Sequence, residues 1–261
     1  MVKTHIITFG TANFDRSLAI QAAGVKRFSQ ASHVIYRPDH PAIQSAQSEN
    51  PELFAQKRGF GYWMWKPYII LDAMSRVPAG DHILYLDAGI APVAQLDDWL
   101  SEIANQDYAF FVADTTHPAA HYTKRDCFVE LGCDSEDFHN TPMLSAGIQS
   151  YINNPKSGAF VEDLKNLMRK PGMIDDSPNI LSQENLPDFV EHRHDQSVLT
   201  LVTKKRGIEP FLEPTQYGSQ KTGQAQLLDH HRMRKSRTGL QYQFWLWKRR
   251  RRMNRLGLKS I

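Results

Sequence analysis

The run His82-Ile83-Leu84-Tyr85-Leu86-Asp87-Ala88-Gly89 is the stretch of this chain that decides its fold. Its largely apolar first half is short enough for a buried strand, and the turn Pro78-Ala79-Gly80-Asp81 comes directly before it. Open α/β sheets bind ligands at the carboxyl ends of their strands. We therefore expect Asp87, with Ala88 and Gly89, to lie at the ligand-binding edge of such a sheet.

A second informative segment is Arg58-Gly59-Phe60-Gly61-Tyr62-Trp63-Met64-Trp65-Lys66-Pro67-Tyr68. Exposing so many aromatic side chains on the surface of a soluble protein is unfavourable, so a structural or binding role is expected for them. A helix is predicted from Trp65 to Met74, because Pro67 is tolerated in a first helical turn. Taken with the strand that ends at Asp87, the segment indicates a nucleotide-sugar site.

Three side chains of this segment are candidate donor-binding groups. Lys66, near a helix start, would meet phosphate oxygens together with unpaired backbone N–H groups. Tyr62 or Trp63 would stack on the base or form a wall of the sugar pocket. The alternative is that the aromatic side chains simply pack against the sheet, and for Trp65 we favour that interpretation.

The remaining periodic segments alternate between strand and helix. Strands are predicted at residues 4–9, 33–36, 108–113 and 143–151, and helices at 15–28, 96–104, 124–131, 158–169 and 188–204. Such alternation is typical of an α/β fold with one Rossmann-like, mostly parallel sheet flanked by helices on both faces.

Composition places the chain among globular proteins. Its 261 residues are 41% hydrophobic, enough for one α/β domain with a small appendage. No run approaches the roughly 18 apolar residues that cross a bilayer, and the N-terminus lacks the pattern of a signal peptide. Cys127 and Cys133 have no metal-ligand spacing, so free thiols in a reducing cytoplasm are expected, although a disulfide stays possible.

Charge divides the chain at His230. Residues 230–261 hold eleven of the 31 Lys and Arg residues and none of the 28 Asp and Glu residues, which leaves 20 basic against 28 acidic residues in the body. We therefore predict a domain at residues 1–229 and a basic, aromatic tail at 230–261 that has an anionic partner.

The tail combines aromatic and basic residues. Phe244-Trp245-Leu246-Trp247 is followed by Lys248 and four arginines, and a shared helical face is predicted for Tyr242, Trp245, Leu246, Met253 and Leu256. This composition suits the interface of an anionic membrane, at about 1 kcal/mol for each basic residue. A nucleic-acid tail is the alternative, but we expect no nucleic acid because the acidic body offers no second basic surface.

Several motifs in order carry a resemblance to a known family. Four motifs carry the resemblance: the aromatic segment, the strand end at Asp87, Tyr122-Thr123-Lys124-Arg125-Asp126 and Glu191-His192-Arg193-His194-Asp195-Gln196-Ser197. The chain resembles GT-A glycosyltransferases of bacterial surface-polysaccharide assembly over roughly residues 4–235. The resemblance implies a GT-A-like fold, a nucleotide-diphospho-sugar donor and a glycan or lipid-linked acceptor of capsule or O-antigen type. It also implies Mn²⁺ or Mg²⁺, and a peripheral position at the cytoplasmic face of the membrane.

One departure from that family concerns the metal. GT-A enzymes usually present Asp-x-Asp, whereas this chain has Asp87-Ala88-Gly89. Asp87 would hold a cation bridging the diphosphate, unless it only caps the next element. Related families often recruit a C-terminal histidine, so the resemblance makes His230 or His231 the candidate second ligand. Mg²⁺ and Mn²⁺ need few protein ligands when phosphates and water complete their coordination.

Further residues are assigned through the resemblance. Thr8, Phe9 and Gly10 would cradle the nucleoside. Lys124 and Arg125 would counter the diphosphate, or form a solvated basic pair.

The acceptor side centres on Asp195. It would take the acceptor hydroxyl's proton or stabilise charge on the sugar ring, with a salt-bridged or capping Asp as the alternative. Acceptor-binding positions are predicted at His194, Gln196, Ser145 and Gly147.

Two rival functions remain at this point. A nucleotidyltransferase shares the sheet and an acidic metal site, but it needs a Gly-rich pyrophosphate loop after the first strand, and Gly10-Thr11-Ala12-Asn13 is a poor one. A non-enzymatic adaptor would instead use the basic tail to bind a membrane or nucleic acid.

Overall fold

A six-stranded sheet forms the centre of the protein, in the order β2-β1-β3-β6-β5-β7. The computed structural model describes residues 2–113, 117–218, 225–231, 243–244 and 247–251. The strands are β1 Thr4–Phe9, β2 Ser32–Tyr36, β3 His82–Leu86, β5 Tyr108–Val112, β6 Leu144–Ile152 and β7 Phe211–Leu212, while β4 Ile90–Pro92 pairs with β8 Leu228–His230 in a second, two-stranded sheet.

The central sheet is mostly parallel, as predicted. β1 pairs in parallel with β2 and β3, and β5 pairs in parallel with β7. The exception is β6, which runs antiparallel to both β3 and β5. Alternating hydrophobicity cannot reveal that reversal, because strand direction is set by the connections.

Helices cover both faces of the sheet. They are α1 Asp15–Phe28, α2 Pro41–Glu49, α3 Pro51–Phe54, α4 Gly59–Tyr62, α5 Trp65–Arg76, α6 Asp97–Ile103, α7 Ala119–Tyr122, α8 Arg125–Glu130, α9 Glu136–His139, α10 Pro155–Met168 and α11 Asp195–Lys205, with a short 3₁₀ turn at Ala12–Phe14. None of the helices in the described part of the chain is long and apolar enough to cross a membrane.

Burial on both faces of β3 explains its continuous apolar run. Ile83 and Tyr85 belong to the larger core, beneath α5, α10 and α11, whereas Leu84 and Leu86 belong to the smaller core near α1 and α6. Successive side chains on a strand point to opposite faces, so a strand covered on both sides needs apolar residues at every position.

Two helix starts differ from the predicted ones. The last long helix begins at Asp195 rather than at residue 188, because His194 has φ +53° and ψ −124°, which interrupts helical geometry. Helix α10 begins earlier than predicted, at Pro155, where the Asn154 side chain accepts a hydrogen bond of 2.8 Å from the Ser157 backbone N–H.

Strand β8 crosses the predicted domain boundary between residues 229 and 230. The antiparallel pairing with β4 sets His230 opposite Ile90 and Asp229 opposite Ala91. The first residue of the predicted tail therefore lies within a strand of the folded body. Most of the tail, including Tyr242, Trp245, Leu246, Met253 and Leu256 of its predicted helical face, lies outside the described residues.

Candidate functional site

Asp87 lies at the carboxyl end of β3, as the sequence indicates. Its backbone N–H donates to the Gly147 carbonyl at 2.9 Å, and its own carbonyl accepts from the Ile90 N–H at 2.9 Å. The Gln21 side chain also donates to that carbonyl at 2.9 Å. These bonds fix the backbone, while 40% of the Asp87 side chain remains exposed.

The Tyr85 hydroxyl donates a hydrogen bond to Asp87 Oδ1. Burial, followed by the charge of Asp87, raises the pKa of Tyr85 well above its usual value. The phenol therefore stays protonated and acts as a permanent donor that orients the Asp87 carboxylate.

Lys66 joins two carboxylates at the floor of the site. Its ammonium donates to Asp195 Oδ2 and, at 2.9 Å, to the Ala146 carbonyl, and it lies 3.8 Å from Asp87 Oδ1. Only 4% of the Lys66 side chain is exposed. Its position near the start of α5 was predicted, but its charge is directed to these two carboxylates.

Asp195 is a buried carboxylate with a shifted protonation equilibrium. Burial raises its pKa to about 6, and the attraction of Lys66 opposes the rise. The neighbouring Asp87 charge raises it further. A carboxyl group that titrates near pH 6 is suited to accept a proton close to neutral pH.

The aromatic segment adopts an unusual backbone. Five consecutive residues, Gly59 to Trp63, have positive φ angles between 52° and 86°. The two glycines tolerate this conformation, whereas it costs free energy at Phe60, Tyr62 and Trp63. The sequence predicted the helix that starts near Pro67, but it did not predict the left-handed turn at Gly59–Trp63 before that helix.

The turn brings aromatic rings against His194. The Trp63 ring stacks on the His194 ring with centroids 5.2 Å apart, and the Tyr62 ring lies 5.0 Å from it. Trp63 and His194 line the cleft, whereas Tyr62 does not. His194 Nδ1 donates to the Ile174 carbonyl at 2.7 Å, and burial lowers the pKa of the ring, so the imidazole is neutral.

Trp65 packs in the core, in agreement with the interpretation favoured from the sequence. It is 4% exposed, its ring lies 4.2 Å from that of Phe9, and its indole N–H donates to the Gly59 carbonyl at 2.9 Å. Trp65 thereby links the aromatic turn to the end of β1.

A cleft of about 870 Å³ lies above these groups. Predicted residues that line it are Phe9, Gly10, Trp63, Lys66, Asp87, Ala88, Gly89, Gly147, His194, Asp195, Gln196 and His230. Sequence reasoning missed other lining residues: Asn13, Lys57, Arg58, Phe60, Glu191 and Arg193. Glu191 and Arg193 belong to a quoted motif, and the cluster of charges within it was the signal that could have found them.

Thr8 and Ser145 do not line the cleft. Thr8 is fully buried beneath it, next to two residues that do line it, Phe9 and Gly10. The Ser145 side chain lies instead near the buried carboxylate of Glu213.

Lys124 and Arg125 do not reach the cleft, which corrects their predicted donor contact. Lys124 is buried, and its ammonium lies 2.8 Å from the Ser177 carbonyl and 3.3 Å from Asp175 Oδ1. Arg125 forms an ion pair of 2.8 Å with Asp134. Both cations therefore have carboxylate partners within the body, and neither is a solvated residue of the cleft wall.

The two candidate histidine ligands are separated by strand alternation. His230 lines the cleft with 26% of its side chain exposed, and its Nε2 lies 3.8 Å from Glu213 Oε1, too far for a hydrogen bond. His231 is buried with Nε2 3.2 Å from the Ser17 carbonyl, and burial lowers its pKa to about 4. His231 is therefore not placed as a ligand of an ion in the cleft.

A divalent ion in the cleft would have few protein ligands. Among the described residues, no group of three or more His, Cys, Asp or Glu side chains is placed to hold a metal. The Asp87 carboxylate and the His230 imidazole nevertheless both line the cleft and are donor types that Mn²⁺ accepts.

Cys127 and Cys133 are both free and buried. Burial raises the pKa of the Cys127 thiol above its usual range. Neither cysteine therefore offers a reactive thiolate to the site.

Comparison with known proteins shows similarity only at the level of structure. No protein-family model matches the sequence, and no curated protein matches it. An active-site mutant of LgtC superposes with a TM-score of 0.51 at 12% identity, over 98% of this chain and 97% of that one. The apo form of mouse xyloside xylosyltransferase 1 gives 0.50 at 9% identity, over 88% and 97% of the two chains.

The glycosyltransferase GlyE of Streptococcus pneumoniae TIGR4 gives a TM-score of 0.50 at 16% identity. The match covers 95% of this chain but only 60% of GlyE. Since these identities are low, the likeness concerns the fold. The chain has the mixed α/β, GT-A-like fold of these glycosyltransferases.

Proposed function

We propose that this protein is a glycosyltransferase that moves a hexosyl or related sugar from a nucleotide-diphospho-sugar to a glycan or lipid-linked acceptor. The observation that carries the proposal is the Asp87–Lys66–Asp195 arrangement at the floor of the 870 Å³ cleft. Transfer of a sugar needs one group near the leaving phosphate and another near the acceptor hydroxyl, and this cleft presents two carboxylates in different environments.

Donor binding is assigned to the side of the cleft formed by β1 and the Asp87–Gly89 loop. Phe9 and Gly10 would contact the nucleoside. An added Cβ at Gly10 would lie 2.8 Å from Leu18 Cδ1, so the backbone passes close to α1 there. Trp63 would face the sugar.

Asp87 and His230 would hold a divalent cation. Such an ion, when bound, neutralises charge that develops on the departing diphosphate. The role of Tyr85 in this assignment is to keep one Asp87 oxygen oriented. Lys66 supplies a fixed positive charge 3.8 Å from Asp87 Oδ1, which offsets part of the negative charge of the two carboxylates.

Asp195 would receive the proton of the acceptor hydroxyl. Its carboxylate is held by Lys66 and lies at the start of α11, where the unpaired N–H groups stabilise a negative charge. His194, Gln196 and Gly147 also line the cleft and would bind the acceptor. A stabilising role for Asp195 toward a positively charged sugar ring uses the same contacts.

The basic tail would bring the enzyme to an anionic membrane at the cytoplasmic face, where a lipid-linked surface glycan is assembled. The described tail residues support this: Phe244 and Trp247 are 55% and 50% exposed, and their rings stack 5.8 Å apart. Lys248 lies over the Phe244 ring and Arg251 over the Trp247 ring, each at 4.6 Å. Aromatic rings flanked by cations are suited to the headgroup region of a bilayer.

Thermal-shift measurements with a panel of UDP-, GDP-, dTDP- and ADP-sugars, each with and without MnCl₂, test the proposal. A donor at 100 times its dissociation constant adds about 2.7 kcal/mol to the free energy of unfolding. Asp87→Asn should lose this stabilisation, and Asp195→Asn should keep it while losing turnover. If no sugar nucleotide stabilises the protein, the proposed function is wrong.

A non-enzymatic adaptor is the second candidate, because Phe244, Trp247, Lys248, Arg250 and Arg251 present exposed aromatic and basic side chains to a partner. The two candidates differ in what survives neutralisation of those basic side chains. With Lys248, Arg250 and Arg251 changed to Gln, sugar transfer to a soluble acceptor should persist, whereas an adaptor would lose its function altogether. Sedimentation with vesicles and with RNA, at several salt concentrations, identifies the partner.

A further inference from the structure

Three cations that the proposed chemistry does not use line the cleft. They are Lys57, Arg58 and Arg193. Lys57 and Arg58 are exposed, and Arg193 comes two residues before Asp195 in the chain. Unlike Lys66, which is buried in its ion pair with Asp195, these three cations can meet a ligand that enters the cleft.

One carboxylate lies between the two arginines. Glu191 Oε2 is 3.5 Å from Arg58 Nη2, and Glu191 Oε1 is 3.5 Å from Arg193 Nε. Arg58 Nη1 also lies 3.4 Å from Asp176 Oδ2. These contacts are longer than the about 2.7–2.9 Å of a charge-assisted hydrogen bond, and ion pairs between exposed groups contribute little. The Glu191 carboxylate is therefore weakly held, and it marks a position where two guanidinium groups meet one oxyanion.

Arg193 is oriented by the ring of Tyr122. Its guanidinium carbon lies over that ring, 3.7 Å from the centroid. The Arg193 backbone N–H donates to the Tyr122 carbonyl at 3.0 Å, and the Ser197 hydroxyl donates to the same carbonyl at 2.6 Å. A guanidinium stacked on an aromatic ring keeps its N–H groups in one plane, which suits the paired oxygens of a carboxylate or phosphate.

The balance of charge also favours an anion at this position. Lys57, Arg58 and Arg193 are three cations, whereas Glu191 and Asp176 are two carboxylates. The Glu191 side chain is 46% exposed, so it can turn to solvent when another anion takes its place between the arginines.

We propose that Arg58 and Arg193, assisted by Lys57, bind a carboxylate or phosphate group of the acceptor, which is therefore an acidic molecule. Arg193 lies in the segment that leads into α11, and Asp195 at the start of that helix is the group assigned to the acceptor hydroxyl. An oxyanion held by Arg193 anchors the acceptor near the group that receives its proton. The assignment of the oxyanion to the acceptor rests on the proposed function, whereas the oxyanion site itself does not.

Binding of simple sugars to the full-length chain tests the oxyanion site without an activity assay. Glucuronate and glucose 6-phosphate should bind roughly tenfold more tightly than glucose, because only the acidic sugars gain charge-assisted hydrogen bonds. NMR titrations measure these affinities, and the advantage of the acidic sugars should shrink as the NaCl concentration rises. The acidic sugar with the larger advantage identifies the oxyanion as a carboxylate or a phosphate.

Three substitutions in the cleft and one control locate the site. Arg193→Gln and Arg58→Gln should each remove most of the advantage of the acidic sugars. Glu191→Gln should increase it, because the carboxylate that competes for the two arginines is neutralised. The matched control is Arg206→Gln, which removes a guanidinium that also lies over an aromatic ring, 4.7 Å from the Phe160 centroid, but does not line the cleft. This control should leave the advantage unaltered.

Two results would overturn the oxyanion site. Equal affinity of the unmodified protein for acidic and neutral sugars would show that the arginines bind no oxyanion. An advantage that survives in both Arg193→Gln and Arg58→Gln would show that the acidic sugars bind elsewhere. If Arg193→Gln does not fold, Arg58→Gln, which changes an exposed side chain, decides the question.

The acceptor role is tested with the donor side filled. When UDP, GDP or ADP is bound together with MnCl₂, the acidic sugars should still bind. Displacement of the acidic sugar by the nucleotide would assign the arginines to the donor phosphates and overturn the acceptor role. If none of these nucleotides binds the unmodified protein, the proposed function fails, while the sugar titrations still decide the oxyanion site.

Discussion

Lys66 and Asp195, separated by 129 positions in the chain, form a buried ion pair at the floor of the cleft. The pair joins the start of α5 to the start of α11, so one charge contact links two helices that are far apart in the sequence. Lys66 also lies near Asp87, and its single positive charge therefore serves two carboxylates.

Removing that positive charge should shift the pH dependence of turnover. In Lys66→Gln, the pKa of Asp195 should rise above about 6, because burial raises it and Lys66 opposes the rise. The acidic limb of the kcat profile should then move to higher pH. Breaking the buried pair should also cost about 3–5 kcal/mol of unfolding free energy.

The matched control for Lys66 is Lys204→Gln, which removes an exposed cation that pairs with Asp137 at 3.1 Å on the surface. The pH profile of the control should be unaltered. An unmoved acidic limb in Lys66→Gln would contradict the assignment of that limb to Asp195.

The two carboxylates should separate donor binding from chemistry. Asp195→Asn should lower kcat by about 10²–10⁴-fold with little change in donor affinity, because it removes a proton acceptor. Asp87→Asn should weaken nucleotide binding and its dependence on MnCl₂. Steady-state kinetics and calorimetry on both variants check this, and equal effects of the two substitutions on donor affinity would count against the assigned roles.

Protein stability should also depend on pH through Asp195. Its pKa is raised from 3.8 to about 6 in the folded state, so the folded protein binds more protons than the unfolded chain between these values. The contribution of Asp195 to the free energy of unfolding is therefore fully present below pH 4 and is lost as the pH rises through 6. The loss is on the order of 3 kcal/mol. Urea unfolding of the protein and of Asp195→Asn at pH 4, 5, 6 and 7 should show this decline only in the former.

Gly147 should be required next to Asp87. A Cβ added at Gly147 would lie 3.1 Å from Asp87 Oδ2 and 3.1 Å from Ile90 Cδ1, so Gly147→Ala should displace the carboxylate and weaken nucleotide binding. Gly158→Ala is the control, because a Cβ there meets nothing within 4 Å and the residue lies within α10. It should stabilise the protein by roughly 0.5–1 kcal/mol. Unchanged nucleotide affinity in Gly147→Ala would show that the Asp87 carboxylate tolerates the methyl group.

Gly61 of the aromatic turn can be compared with Gly80, a glycine of nearly the same φ angle in another turn. Gly61 and Gly80 have φ +86° and +85°, but an added Cβ lies 2.8 Å from the Phe54 ring at Gly61 and meets nothing at Gly80. Both alanine variants should lose about 1 kcal/mol to the left-handed backbone. Gly61→Ala should lose about 1–3 kcal/mol more through overpacking, measured by urea denaturation, and an equal loss in both variants would contradict this.

Local patterns predicted the elements but not their long-range contacts. β1, β3 and α1 follow the predicted limits closely, because strand and helix periodicity depends on neighbouring residues. The antiparallel direction of β6 and the start of α11 at Asp195 were missed, because the first depends on chain connections and the second on the unusual φ of His194.

The sequence by itself determined that Asp87 ends a buried strand and that Lys66 lies near a helix start, since both facts follow from residues within one element. Only the tertiary structure decided that Lys66 pairs with Asp195, that Lys124 pairs with Asp175 away from the cleft, and that Arg249 meets Asp229. A charge can find its partner anywhere along the chain, and which partner it meets depends on how helices and strands pack. The periodicity of the sequence does not show which helices and strands pack together.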